Sequence, residues 1–215
     1  MDSENIIKTI EEKGYYVIYN YWSNEKCDIL TEHIKKVFPS GFIKTNTAIG
    51  GGGDYRMGQS ENSFILCKEF LNDSFLSEIG NSYIGHEYNR KRCQIGVVNA
   101  SNSKNSGGGW HVDNHDKQFK AILYLTDVDE NSGNFSIVEN SRGVIKTLGT
   151  YRNYKDDMSE SRIEESKVFD HFGNERIKNI VGNKGTLILV DTSNIHRGRD
   201  INAGSRYSLT NYYYH

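Results

Sequence analysis

The chain has 215 residues, a length that favours one domain with a single large core over two small ones. Its 26 lysines and arginines are balanced by 28 aspartates and glutamates, so the formal net charge of -2 provides no global basic field to hold nucleic acid or an anionic membrane. The polar, acidic start MDSENIIKTIEEKGYY is unlike a signal peptide and no later segment approaches 18 consecutive apolar residues, so we expect a cytoplasmic protein that does not span a membrane.

Residues 1–91 are predicted to be mostly helical and to pack against the outside of a β core. Apolar residues recur at helical spacing, and Ser23 is of the type that caps a helix start while Pro39 ends one. The predicted elements are helices over Asn5–Lys13, from Ser23 to Pro39 and near Lys68–Ile79, with a strand over Tyr15–Tyr21.

Residues 92–215 change to short β-prone runs separated by Gly, Asn, Asp and Ser. The predicted strands are Gln94–Asn99, Phe119–Thr126, Asn134–Val138, Thr186–Val190 and Arg206–Tyr213. Their alternation favours an antiparallel sandwich or barrel. The charged, weakly patterned stretch at about 151–178 is interpreted as an insertion between strands. The expected class is therefore mainly β with flanking helices, in a single domain over residues 1–215.

A candidate metal site begins in the segment Gly107–His115. Because side chains alternate on an extended chain, His111 and Asp113 share one face and can hold the same ion. Two histidines and one carboxylate form the facial triad that binds iron(II) and leaves coordination positions open. His196 is the best third ligand, since it follows an apolar strand, although it lies 83 residues beyond Asp113 and must reach it across a folded sheet.

A candidate anion-binding residue, Arg206, follows ten residues after His196. If the polar segment Asp200–Gly204 is a turn between adjacent antiparallel strands, Arg206 and His196 become cross-strand neighbours and the guanidinium reaches the metal cavity. A guanidinium matches the carboxylate of a dicarboxylic acid through paired hydrogen bonds. Ser208 shares the same strand face and adds a hydroxyl.

Four stretches, in this order, resemble the phytanoyl-CoA dioxygenase-like family of iron(II)/2-oxoglutarate-dependent oxygenases. They are Trp110–Asp113, Phe119–Val128 followed by Glu130–Gly133, Gly185–Gly198 and Arg206–Tyr213. The resemblance implies a double-stranded β-helix, a cupin-like jelly-roll with the metal at one open end. It also implies iron(II), 2-oxoglutarate and O2 as the reacting partners, with release of succinate and CO2 and hydroxylation of an unactivated carbon.

By the family pattern, His111, Asp113 and His196 are the iron ligands and Arg206 binds the distal carboxylate of 2-oxoglutarate. Asp113 argues against a halogenase, because that variant gives up the carboxylate ligand. One departure is visible, since the family usually has a Pro-Gly-Ser-His turn where this chain has Asn140-Ser141-Arg142. This departure changes a loop and no ligand.

Other co-substrate contacts come from strand faces. Lys120, Ile122 and Tyr124 alternate onto one face, so the Tyr124 hydroxyl and the Lys120 ammonium are candidates to approach 2-oxoglutarate. Gln94 is a further candidate, with a satisfied polar residue on a half-buried strand as its alternative interpretation.

Substrate contacts are expected from the loops and the first third of the chain. Arg56 or Tyr55 is predicted to contribute to the pocket because both directly follow a flexible glycine run, and His115 is interpreted as a rim or substrate residue. The cover over the pocket is expected from Gly50–Arg56, Asn99–Gly109 and Tyr151–Lys178. A small polar metabolite is the expected substrate, since a chain of this length has no evident further recognition module.

Two other classes of protein remain open from the residues. One is a non-catalytic jelly-roll module that binds a structural metal ion or carbohydrate. The other is a zinc-dependent hydrolase or isomerase on the same scaffold, because two histidines and an aspartate also hold zinc with an open position. Arg206 discriminates between them and an oxygenase, since neither alternative requires a cation at that point.

Overall fold

The computed structural model describes residues 2–44, 53–100, 109–144 and 162–214. The helices in these ranges are α1 (Ser3–Lys13), α2 (Asn24–Val37), α3 (Ile65–Leu71), α4 (Ser74–Ile84) and α5 (Glu165–Phe172). The strands are β1 (Tyr15–Ile18), β2 (Ile43–Lys44), β3 (Asp54–Gly58), β4 (Arg90–Asn99), β5 (Trp110–His111), β6 (Phe119–Tyr124), β7 (Phe135–Val138), β8 (Arg162–Ile163), β9 (Ile177–Ile180), β10 (Leu187–Asp191), β11 (His196–Gly198) and β12 (Ser205–Tyr214). Short 3-10 turns lie at Ser60–Asn62 and Asn174–Arg176.

The strands form two antiparallel sheets. The larger has seven strands in the order β1-β10-β6-β12-β4-β3-β2, and the smaller has five in the order β8-β5-β11-β7-β9. The two sheets face each other as a jelly-roll, the double-stranded β-helix with flanking helices that the sequence predicts. From β4 to β7 and from β9 to β12 the chain alternates between the sheets, so residues distant in sequence meet inside.

The seven-stranded sheet has two chemically different faces. On β6, Phe119, Ala121 and Leu123 belong to the core that the sheet forms with the helices α1–α4, whereas Ile122 and Tyr124 face the other sheet. Burying a large apolar side chain contributes about 1.5–3 kcal/mol, so the helical side supplies most of the apolar stabilisation of this sheet. The opposite face is left to carry polar groups.

The N-terminal helices begin and end largely where their capping residues predict. The Ser23 hydroxyl accepts a hydrogen bond from the Lys26 N–H at the start of α2, and α1 ends at Gly14 in a left-handed conformation (φ 93°). The single helix predicted near Lys68–Ile79 is wrong, because the chain forms α3 and α4 instead. Asp73 separates them, since its carboxylate accepts hydrogen bonds from the Phe75 and Leu76 N–H groups and starts a new helix.

Residues 1–91 also contribute three strands to the larger sheet. β1 pairs with β10 at one edge, while β2 and β3 extend the other edge beyond β4. β3 was missed because its sequence, Asp-Tyr-Arg-Met-Gly, has a charged start and follows a glycine run, a composition typical of a loop. This strand carries Asp54 and Arg56 to the interior.

The predicted insertion at about 151–178 is structured in its second half. Residues 162–178 form β8, α5 and the start of β9, and β8 pairs with β5. Val168 and Phe172 of α5 pack with Trp110 on the outside of the smaller sheet. Residues 151–161, 45–52 and 101–108, which include most of both glycine runs and part of the expected pocket cover, lie outside the described residues. None of the helices in the described ranges is long and apolar enough to cross a membrane.

Gly85 and Gly185 both have a left-handed backbone, so substituting each by alanine distinguishes the cost of backbone strain from the cost of a steric clash. Gly185 has φ +86° and an added Cβ would lie 2.1 Å from the Trp22 carbonyl oxygen, whereas Gly85 has φ +92° and open space around it. We expect Gly85→Ala to cost only the left-handed strain of about 1–2 kcal/mol. Gly185→Ala adds an overpacking cost of roughly 1–3 kcal/mol. Urea denaturation measures both, and equal losses would contradict the close packing of this turn against the N-terminal segment.

Candidate metal centre

Three predicted ligands converge in the structure. His111 on β5 and His196 at the start of β11 are paired in antiparallel register, and their imidazole centroids lie 4.4 Å apart. The Asp113 carboxylate lies beside both, with its oxygens 3.6 Å from His111 Nε2 and 3.4 Å from His196 Nε2. One ligand atom from each residue falls within 4.8 Å of the others, which is a spacing that a single ion can bridge.

The orientation of both imidazoles fits a metal site. His111 Nδ1 lies 2.9 Å from the Gly109 carbonyl oxygen, and His196 Nδ1 lies 2.9 Å from the Asn194 carbonyl oxygen. An Nδ1–H that donates to a carbonyl leaves Nε2 unprotonated, and metal-binding histidines are commonly held in this way. The two Nε2 atoms face the Asp113 carboxylate, so the donor set and its orientation fit a divalent ion such as iron(II).

Asp191 fixes the loop that leads to His196. Its buried carboxylate accepts hydrogen bonds from the Tyr83 hydroxyl (2.8 Å), the Gln118 N–H (3.0 Å) and the Ser193 hydroxyl (2.7 Å). Arg142 adds an ion pair at 3.5 Å. These contacts hold the loop between β10 and β11 in one conformation.

The segment 140–142, where the chain departs from the family pattern, supports the same loop. The Ser141 hydroxyl accepts a hydrogen bond from the Ile195 N–H at 2.8 Å, and the Asn194 side-chain oxygen accepts from the N–H groups of Ser141 and Arg142. The segment 140–142 therefore supports the position of His196, a role that its sequence did not indicate.

Lys120 forms a buried ion pair with Asp113. Its ammonium lies 2.5 Å from Asp113 Oδ2 and 4.3 Å from the centroid of the Tyr212 ring. Burial by itself raises the pKa of Asp113, but Lys120 and the two imidazoles outweigh it and hold that pKa well below its usual range. Burial likewise lowers the pKa of Lys120, and Asp113 reverses this so that the ammonium stays charged. Lys120 lines the cavity as expected, and it contacts a metal-ligand candidate directly.

Arg206 lines the same cavity, but it reaches the cavity from a different sheet than the prediction assumed. The expectation that His196 and Arg206 are cross-strand neighbours is wrong, because β11 belongs to the smaller sheet and β12 to the larger. The segment Asp200–Gly204 carries the chain from one sheet to the other, so the two side chains meet across the interior. Burial lowers the pKa of Arg206 more than any other influence, while Tyr124 and Asp54 work to raise it.

Three other predicted co-substrate residues line the cavity. Ser208 lies opposite Tyr124 in the β12–β6 register, and Gln94 donates a hydrogen bond to the Tyr212 hydroxyl at 3.3 Å. The Tyr124 hydroxyl donates to the Ile180 carbonyl and accepts from the Phe135 N–H, each at 2.9 Å, and burial raises the pKa of Tyr124 to about 12. Tyr124 therefore also joins the two sheets.

The predicted substrate residues separate into two groups. Arg56 faces the cavity, where Asp54 binds its guanidinium at 2.8 Å and 3.3 Å. Tyr55 does not contribute to the pocket, contrary to expectation, because adjacent residues on a strand face opposite sides. Its ring packs in the helical core, where the centroids of the Tyr55 and Phe38 rings lie 5.0 Å apart. His115 lies in the turn after Asp113, where its N–H donates to Asn114, and it is not among the cavity-lining residues of the described ranges.

Sequence reasoning missed two further groups at the cavity. Asp54 is 5% exposed in its side chain and pairs with Arg56, and Tyr212 contacts Lys120. Both share a strand face with a predicted residue, Asp54 with Arg56 and Tyr212 with Arg206. Alternation along the predicted strand Arg206–Tyr213 was therefore the signal that would have found Tyr212. Asp54 offered no such signal, because β3 was not predicted as a strand.

The fold is similar to several solved structures. The epimerase SnoN, crystallised with Fe3+, alpha ketoglutarate and nogalamycin RO, matches with a TM-score of 0.76 and 10% identity over 99% of this chain and 83% of that one. A prolyl-4-hydroxylase from Pseudomonas putida matches with a TM-score of 0.68 and 10% identity over 99% and 98% of the two chains.

A third similar structure is HygX from Streptomyces hygroscopicus with nickel, 2-oxoglutarate and hygromycin B bound. Its TM-score is 0.64, with 13% identity over 98% of this chain and 86% of that one. No protein-family model and no curated protein matches the sequence. At these low identities the likeness establishes the fold.

We expect Lys120→Met to destabilise the metal-free protein and a bound divalent ion to reverse much of the loss. Removing one partner of a fully buried ion pair costs about 3–5 kcal/mol. Here the cost is smaller, because the Asp113 side chain is 25% exposed and the two imidazoles lie beside it. A metal ion supplies the missing positive charge beside Asp113. Urea denaturation with and without Ni(II) measures the effect.

Lys117→Met is the matched control, since Lys117 forms a partly exposed ion pair with Glu11 at 2.7 Å and should change stability by less than about 1 kcal/mol. A Lys120 variant that is no less stable than this control would show that the Asp113 ion pair is not needed.

Proposed function

We propose that the protein is an iron(II)- and 2-oxoglutarate-dependent dioxygenase that hydroxylates an unactivated carbon of a small polar molecule. The observation that carries the proposal is the convergence of two imidazoles, one carboxylate and a buried guanidinium on one cavity between the sheets. The resemblance of four sequence stretches to the phytanoyl-CoA dioxygenase-like branch, together with the fold, supports the same class.

His111, Asp113 and His196 would hold the metal. They occupy one side of the ion, as a facial triad does, and leave positions for a co-substrate and O2. Lys120 donates a hydrogen bond to Asp113 Oδ2, so the other carboxylate oxygen is the one that would be left to hold the metal. When bound, the iron and 2-oxoglutarate supply the oxidative chemistry, in which decarboxylation to succinate and CO2 is coupled to oxidation of the substrate.

Arg206 would bind the distal carboxylate of 2-oxoglutarate. Its guanidinium lines the cavity, and a carboxylate is the ligand that matches a guanidinium best, through paired charge-assisted hydrogen bonds. Ser208 lies on the same face of β12, two residues nearer the metal, and offers a hydroxyl to the same molecule. Tyr124 and Gln94 line the surrounding wall, where they would shape the site and exclude water.

The arrangement favours an oxygenase over the two other classes. A structural metal site has its coordination positions filled by protein, whereas three ligands beside a polar cavity leave the ion open. A zinc hydrolase needs the three ligands but gives no reason for a buried arginine across the cavity from them. Arg206 is therefore the residue on which the proposed class depends.

We expect Arg206→Gln to weaken 2-oxoglutarate binding roughly 10- to 100-fold while leaving iron(II) binding intact, because hydrogen bonds to a charged group contribute about 1.5–3 kcal/mol. The measurement is an anaerobic titration that follows the visible charge-transfer band of the iron(II) chelate. Arg206→Lys keeps the charge and should lose less. Unchanged 2-oxoglutarate affinity in Arg206→Gln would reject the role of this residue.

Mutating a residue that hydrogen-bonds to a metal ligand typically lowers metal affinity roughly 10- to 100-fold. We expect Asp113→Ala to lower it by more, because this change removes a proposed ligand itself. Asp116→Ala is the matched control, since Asp116 is an exposed carboxylate in the same segment. Competition with a chromogenic chelator measures affinity, and succinate formed without added substrate measures uncoupled turnover. Tight zinc binding with no consumption of 2-oxoglutarate in the wild type would favour the binding-module or hydrolase alternatives.

A further inference from the structure

The charges of the cavity leave one cation in excess. Among the described lining residues, Arg56, Lys120 and Arg206 are cations and Asp54 and Asp113 are carboxylates. Iron(II) and the 2-oxoglutarate dianion of the proposed function cancel each other, so the described lining residues keep one excess positive charge. An excess positive charge attracts an anion, and a monoanionic ligand would balance it.

Arg56 is the cation best placed to meet such a ligand. Under the proposed function Lys120 stays with Asp113 and Arg206 binds the co-substrate. Asp54 takes two of the five N–H donors of the Arg56 guanidinium, and 37% of the side chain remains accessible. The pair with the buried Asp54 fixes the guanidinium in place, which reduces the entropy lost when it binds a carboxylate.

Gly96 provides space beside Arg56. In the register of the larger sheet it lies between Arg56 on β3 and Ser208 on β12, and all three line the cavity. An added Cβ would approach the Ser208 hydroxyl oxygen to 3.1 Å. Glycine within a strand weakens it and often marks a place where a ligand approaches the backbone closely. The recess at Gly96 is therefore bounded by a guanidinium on one side and a hydroxyl on the other.

We propose that the recess formed by Arg56 and Gly96, next to the Ser208 hydroxyl that the proposed function gives to 2-oxoglutarate, binds the substrate through a single carboxylate group. The proposal rests on the proposed function and deepens it, because it names the substrate class as a small monocarboxylate held by Arg56. The carboxylate accepts hydrogen bonds from the donors of Arg56 that Asp54 leaves accessible, and the rest of the molecule extends toward the metal.

The test uses acetate and its neutral isostere acetamide as probes. The protein is loaded with Mn(II) and excess 2-oxoglutarate, and the relaxation of the probe methyl protons reports binding near the metal. We expect saturable enhancement for acetate, little for acetamide, and at least tenfold weaker acetate binding in Arg56→Gln. Arg56→Lys should retain part of the affinity. Arg90→Gln, which changes an exposed arginine at the start of β4, should behave as wild type.

Three results would overturn the proposal: equal binding of acetate and acetamide, unchanged acetate binding in Arg56→Gln, or a tenfold loss of 2-oxoglutarate affinity in that variant. The loss of 2-oxoglutarate affinity would show that Arg56 binds the co-substrate and not the substrate. If Arg56→Gln does not fold, Gly96→Ala tests the same recess and should weaken acetate binding without changing the near-UV circular dichroism. Absence of the iron(II) chelate band in the wild type would reject the proposed function. Acetate and acetamide binding to the metal-free protein, measured by calorimetry in wild type and Arg56→Gln, then reads the recess by itself.

Discussion

The alternation of side chains in the seven-stranded sheet is the constraint on which the rest of the structure depends. One face buries apolar residues against four helices, and the other face adds only a smaller apolar cluster against the second sheet. The inner face of β12 is consequently able to present Arg206, Ser208, Thr210 and Tyr212 to the cavity. A sheet whose inner face had to supply the main core would not tolerate such a polar row.

The metal centre forms where the two sheets meet. His111 and His196 come from the smaller sheet, while Lys120 reaches Asp113 from the larger. The ion pair therefore ties the sheets together at the same place where the ligands converge. Carbonyl groups hold both imidazoles from behind, so the Nε2 atoms of the two candidate ligands are oriented toward Asp113. Preorganised ligands of this kind bind without a large conformational cost.

Fold and function rest on different observations in this protein. The similar solved structures share only 10% to 13% of their residues with this chain over nearly its whole length, and one fold supports many activities. The proposed activity depends instead on the combination of the triad with a buried guanidinium. A second cation–carboxylate pair, Arg56 with Asp54, also lines the cavity. It lies on β3, in the first third of the chain.

The sequence by itself determined an antiparallel β core, six of the twelve described strands and the three residues that converge, because strand alternation and ligand chemistry are local properties. The jelly-roll class was implied by the family resemblance. It did not determine which sheet each strand joins, so His196 and Arg206 were placed side by side when they in fact face each other across the interior. β3 and its Asp54–Arg56 pair were also beyond reach, since a short charged strand forms there only because β4 offers an edge for pairing. Tertiary structure decided these points, because pairing between strands far apart in sequence depends on the packing of the whole chain.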